Sequence, residues 1–222
     1  MSNYFKQIPD FEYVSRLPDA KISDYIKVKN LFKKGKLRDD IFEDLSVFTK
    51  YQIKGDDRPD NVAFKYYGDA TLDWLVLVSN NIINIQTEWP LRQTDFDRYM
   101  LNKYGDYDTL YNGVHHYETL EVKNTDNVVI LPDGLQVDST FSIQHYDFQL
   151  KQNMVYTNVT KAVTNYEYEN ELDTNKRNIF LLKRNYLNVA KDNFEQMMIY
   201  EQGSTQYVSE TLKRADNIRL FQ

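Results

Sequence analysis

Cysteine is absent from the 222 residues, which excludes disulfide scaffolds, thiolate zinc sites and cysteine nucleophiles. The same absence suits assembly in a reducing cytoplasm. Glycine is scarce. Gly35, Gly55, Gly68, Gly105, Gly113, Gly134 and Gly203 each stand alone, so no glycine-rich phosphate loop can be formed, and no GxSxG elbow is present. The histidines are His115, His116 and His145. Neighbours on a strand point to opposite faces, so the spacing predicts that His115 and His116 do not share one ion, and no metal or other cofactor is expected. No uncharged apolar run approaches the roughly 18 residues of a spanning helix. Met1–Lys6 has neither the basic start nor the apolar stretch of a secretory leader. A soluble, intracellular chain with no membrane segment is the expectation.

What the chain has in excess is aromatic surface. Aromatics reach 14%, with 18 Tyr, 12 Phe and 2 Trp, more than one core is expected to absorb, and Tyr and Trp are enriched where proteins bury surface against one another. The net charge is −6, which disfavours nucleic acid as a partner because phosphate attraction needs a basic face. Residues 1–50 carry 10 basic and 8 acidic side chains, whereas residues 51–113 carry 6 and 10 and residues 114–222 carry 11 and 15. The local exception is Lys27, Lys29, Lys33, Lys34, Lys36 and Arg38, interleaved with Val28, Leu31, Phe32 and Leu37. That run reads as a solvated strand pair turning at Gly35, with an acidic protein partner as the second reading.

Along the chain, residues 1–26 read as an extended arm with a short helix around 10–16. Thr49–Lys54 alternates as a strand. Pro59 then starts a helix, with Val62, Ala63, Tyr66 and Tyr67 as its stripe and Gly68 at its end. The tightest carboxylate group, Asp56, Asp57 and Asp60, sits where a helix N-terminus favours negative charge and reads as capping rather than as an acid–base pair. A second helix, about 70–79, is apolar on nearly every side, so later chain or another protein must cover it. Thr94 is expected to cap a third helix that stops at Gly105. Beyond 113 the pattern is β-rich, with short strands and polar loops to about 182, a helix over 186–200 and a further short helix around 209–215.

The run Tyr51–Asp69, continued by Leu72, Trp74, Asn80 and Asn81, resembles a LysM-like module. More closely, with Arg58-Pro59, Tyr67-Gly68, Trp74, Trp89-Pro90-Leu91 and Lys103-Tyr104-Gly105, it resembles the baseplate wedge proteins with a LysM-like domain of T-even-type contractile-tailed phages. The implied fold class is α+β: a small LysM-like β-α-α-β domain, an extended N-terminal arm, and a β-rich C-terminal region ending in a helix. The matching division is 1–48 (arm and strand pair), 49–113 (LysM-like domain with the following helix) and 114–222 (docking region). Residues 82–89 are expected to pair with 49–54. The resemblance implies a structural, non-catalytic subunit of the virion tail, assembled in the host bacterial cytoplasm. It would join neighbouring wedge subunits around the central hub, in multiple copies of a symmetric assembly. Its partners are then other baseplate wedge proteins and the tail hub, with no nucleic acid and no membrane. The expected interaction residues are Arg58, Pro59, Tyr67, Trp74, Trp89, Pro90, Phe194 and Met198. The alternatives are a peptidoglycan-binding module reading N-acetylglucosamine through Tyr67, Trp74 or Asn80, and a tail lysozyme or other hydrolase.

Overall fold

The computed structural model describes residues 4–21 and 23–216. In chain order they form a short helix α1 (Tyr4–Gln7), strands β1 (Asp10–Val14) and β2 (Tyr25–Lys29), and α2 (Asp39–Phe42). β3 (Phe48–Gln52) leads into α3 (Pro59–Tyr67), α4 (Asp73–Ser79) and α5 (Ile85–Glu88). Next come α6 (Gln93–Tyr104), α7 (Tyr107–Asn112), β4 (Val114–Thr119), β5 (Val122–Lys123) and β6 (Val129–Leu131). β7 (Gln136–Val137), β8 (Ile143–Asp147), β9 (Gln152–Tyr156) and β10 (Thr160–Thr164) follow. The described chain closes with α8 (Asn165–Arg177), β11 (Asn178–Leu182), α9 (Leu187–Met198), β12 (Tyr207–Ser209) and β13 (Leu212–Arg214). The class is α+β, as read from the sequence. The chain separates into two compact units, residues 1–89 with 177–222, and residues 90–176.

In the first unit, α3 starts at Pro59, whose missing N–H costs nothing at a first turn, and stops at Gly68, whose φ of +82° needs no Cβ. The carboxylate of Asp57 does not cap this helix; it pairs with Lys65. Helix α4 is covered by its own chain. Trp74 and Leu75 face a cluster built from Ile8, Leu37, Phe48, Leu182, Phe194 and Met198, while Val76 faces another with Ile53, Val62, Trp89 and Leu181. Between these clusters lies the antiparallel pair β3–β11, with Phe48 opposite Leu182 and Tyr51 opposite Ile179. The strand beside β3 is therefore β11, and the expected pairing of residues 82–89 does not occur. Asn84 caps α5 in that stretch by accepting from the N–H of Gln86, and the carboxylate of Glu88 accepts from the N–H groups of Ile83 and Asn84, which turns the segment away from an extended path.

The N-terminal arm is held by its own unit. β1 lies between β2 and β13 in the order β12-β13-β1-β2, pairing antiparallel with β2 and parallel with β13. Residues 10–14 are thus strand, not helix, and so are 207–209 and 212–214, where a terminal helix was expected. Polar pairing fixes this register. Asp10 holds Lys27 and Lys29, each at 3.0 Å, and Glu12 holds Arg214 at 2.8 Å. The expected strand turn at Gly35 is absent, because β2 ends at Lys29 and Gly35 is packed beneath Phe194.

In the second unit, α6 begins at Gln93 with Arg92 rather than Thr94 at its cap, and packs Phe96 and Met100 against Leu110 of α7. β4 is the centre of a three-stranded sheet, β10-β4-β7. Helix α8 lies where short strands and polar loops were expected. Its buried residues are Glu169 and Asp173, so no apolar stripe betrays it. Its readable signal is a capping box. The Glu167 N–H donates to the Thr164 hydroxyl (3.2 Å), and the Thr164 N–H donates to the Glu167 carboxylate (3.0 Å).

Candidate assembly surfaces

Of the eight expected interaction residues, only Arg58 exposes its side chain, beside Asp60 at 3.4 Å. Pro59 and Pro90 are buried. Trp89 packs in the second cluster, and its indole N–H donates to the Asp57 carbonyl at 3.0 Å. Trp74 and Phe194 stack with ring centroids 4.5 Å apart in the first cluster, where Met198 also lies. The Tyr67 hydroxyl donates to the Leu182 carbonyl at 3.0 Å, and burial pushes its pKa well above the usual phenol range. The Asn80 amide donates to the carbonyls of Val76 and Phe180 and accepts from the Phe180 N–H.

The basic run has partners within the chain. Besides the two lysines on Asp10, Lys36 pairs with Asp39 at 2.8 Å and Arg38 with Asp40. The Lys33 ammonium donates to the carbonyls of Met197 and Ile199 at 2.7 and 2.6 Å. It thereby closes the C-terminus of α9, where a cation is favoured by the exposed carbonyls. Burial beside Lys213 lowers the Lys33 pKa. Asn30 fixes the same turn, its side-chain amide donating to the Tyr200 hydroxyl at 2.7 Å and its N–H to the Pro9 carbonyl at 2.9 Å. What this braced turn presents to solvent is Phe32, 98% exposed, next to exposed Leu31.

The second unit has a comparable projection. β8 and β9 form a two-stranded hairpin, a form that is marginal by itself in water. Its turn is pinned by the buried Asp147 carboxylate, which accepts from the N–H groups of Gln149 (2.8 Å) and Leu150 (3.0 Å) and from the Thr125 hydroxyl (3.3 Å). These bonds hold the Asp147 carboxyl below the usual range against its burial. At the tip Phe148 is 82% exposed, with Leu150 and Val155 exposed nearby. Neither Phe32 nor Phe148 was singled out from the sequence as an interaction residue. No periodic signal could find them, because each owes its exposure to side-chain bonds that brace a turn.

Deeper in this unit, the buried Glu169 carboxylate accepts from the Tyr104 hydroxyl at 2.9 Å and from the Lys103 ammonium. That bond raises the Lys103 pKa well above the ordinary lysine range. The set is a braced packing contact between α6 and α8. Nearby, the expectation that His115 and His116 face apart fails. Their Nδ1 atoms are 2.9 Å apart, because β4 bulges at this point.

A profile of the family described as base plate wedge protein 53 matches residues 4–198, which spans both units. The chain belongs to that family. Among curated proteins none matches. Membership makes the chain a structural component of a phage baseplate, located in the virion tail and assembled with other baseplate components. Among the described residues no helix is long and apolar enough to cross a membrane.

Proposed function

We propose that this wedge subunit is a non-catalytic joint that holds neighbouring wedge subunits together around the central hub, in several copies added in the host cytoplasm. The observation that carries this reading is the pair of braced apolar projections, Phe32 and Phe148. A turn rigidified by its own polar bonds loses little entropy when it docks, and a large aromatic at its tip supplies contact area. Of the residues expected from the sequence, Arg58 contacts a partner directly in this proposal. Pro59, Tyr67, Trp74, Trp89, Pro90, Phe194 and Met198 support the surface from beneath. The segmental reading is part of the same proposal: 1–48 as arm, 49–113 as a LysM-like unit that borrows its second strand from β11, and 114–222 as docking region.

Cross-linking of purified tails, read by mass spectrometry, tests it. Links from Lys34 and Lys151, which flank the two projections, to other wedge proteins and to the hub are expected. Links confined to this chain, or a protein recovered off the tail, refute the joint. The glycan-binding reading meets an obstacle in Tyr67, Trp74 and Asn80, whose polar atoms and ring faces are already engaged within the chain. A pull-down on purified peptidoglycan is expected to give no saturable binding.

A further inference from the structure

On β10 the register advances by one residue, from Val163 to Thr164, while on β4 it moves by two, from His116 to Val114. His115 is the extra residue of a bulge, the device by which a strand re-aims a side chain. Both imidazoles consequently reach one side. Two further contacts orient them. The His116 ring is mostly buried, with its Nε2 3.0 Å from the Glu118 carboxylate. The exposed His115 ring stacks on Tyr168 of α8, with centroids 3.9 Å apart and planes 11° from parallel.

The tautomers follow from the partners. A carboxylate can only accept, so His116 Nε2 carries the proton and donates it to Glu118, leaving a lone pair on His116 Nδ1. The His115 Nδ1–H then donates to that lone pair across the 2.9 Å gap. Two imidazole nitrogens each about 2.0–2.1 Å from a metal and at right angles lie about 2.9 Å apart, whereas a tetrahedral site would need about 3.3 Å. We propose that His115 and His116 form a two-nitrogen site for a divalent transition metal of tetragonal or octahedral preference, the nickel(II) or copper(II) class. The metal takes the place of the shared proton, each ring turning so that its Nδ1 lone pair aims at the ion rather than at the other nitrogen, and His115 carries its proton on Nε2 instead, so the neutral rings release none overall. Glu118 is a positioning residue, holding His116 in the tautomer that ligates, as carboxylates do behind metal-bound imidazoles. Among the described residues no three His, Cys, Asp or Glu side chains surround one ion, so water fills the remaining positions.

Nickel(II) titrated calorimetrically into the full chain at neutral pH tests the site. One saturable equivalent is expected, with a rise in Tm that the variants lack. His115→Ala and His116→Ala should each weaken binding tenfold or more, Glu118→Gln about tenfold, and His145→Ala not at all. The copper(II) form should give electron paramagnetic resonance coupling to two nitrogens, falling to one in either single variant. Because the His115 side chain is exposed, its loss leaves the fold intact and the comparison valid. Absence of saturable binding, binding unchanged by His115→Ala, or equal loss in His145→Ala overturns the proposal. Unchanged affinity in Glu118→Gln removes Glu118 from it.

Discussion

Gly35→Ala is expected to destabilise the first unit although Gly35 lies in irregular chain far from any left-handed conformation. A Cβ placed there collides with two ring carbons of Phe194 and reaches the Met198 methyl at 3.4 Å. That ring cannot yield. It is 1% exposed, stacked on Trp74 with centroids 4.5 Å apart and held by Tyr4 at 5.2 Å. The Gly35 N–H is itself fixed by donation to the Tyr4 hydroxyl at 3.1 Å. Overpacking of this type costs about 1–3 kcal/mol. Removing glycine's freedom in the unfolded chain returns about 0.4–1 kcal/mol. The net loss is then about 1–2 kcal/mol, or about 2–8 °C in Tm for a chain of this size. Urea unfolding of Gly35→Ala, Phe194→Leu and the double variant isolates the cause. Shrinking the ring makes room for the methyl, so the double variant should be more stable than the sum of the singles by about 1 kcal/mol. A Gly35→Ala protein as stable as the parent, or strict additivity, would refute the close approach.

Other outcomes follow from the same packing. Trp74→Ala should cost about 3–5 kcal/mol, seen as a lower urea midpoint of the isolated chain, because the indole is core. Glu169→Ala leaves the Tyr104 hydroxyl and Lys103 without their acceptor and should cost about 1–3 kcal/mol, measured the same way. Asp10 supplies the pH dependence. Burial opposes its ionisation, but the hydrogen bonds from Lys29 and Lys27 outweigh this and hold its carboxyl below the usual range. Its folded pKa therefore lies below the unfolded one, so its contribution is full above about pH 4 and drains as pH falls through the folded value. The stability curves of parent and Asp10→Asn should converge in acid, whereas parallel curves would exclude the pairing as the source. Phe148→Ser should shift stability by no more than about 0.5 kcal/mol while impairing incorporation into tails, scored by the particle yield of a complemented phage.

Helices α3, α4 and α6 were legible because each announces itself locally: Pro59 before a 3.6-residue stripe, Gly68 and Gly105 after one. The partner of β3 was not legible. Many short apolar runs could have paired with it, and the one that does begins at Asn178. The parallel pairing of Asp10–Glu12 with Leu212–Arg214 joins residues about 200 apart, with one ion pair across it, and no window on the sequence contains both. α8 was hidden because its inward face is Glu169 and Asp173, although its capping box stood in plain view. The histidine pair was misjudged through a sound rule applied to a regular strand, when the strand is bulged.

The interruption of the first unit by residues 90–176 has a consequence for biosynthesis. At about 5–20 residues per second, strand β3 leaves the ribosome on the order of ten seconds before β11, and the second unit is complete in between. The intervening chain can reach its final contacts first, because every strand pair within it joins residues of that unit, the widest being β4 with β10, and none waits for β11. The first unit meanwhile waits with β3 unpaired and half its core missing. Its folding ends only after α9 has seated Phe194 on Trp74 and β13 has paired with β1. A ribosome stalled once residue 176 has cleared its exit tunnel, with β11 still inside, would therefore hold a folded insert behind an unfinished first half.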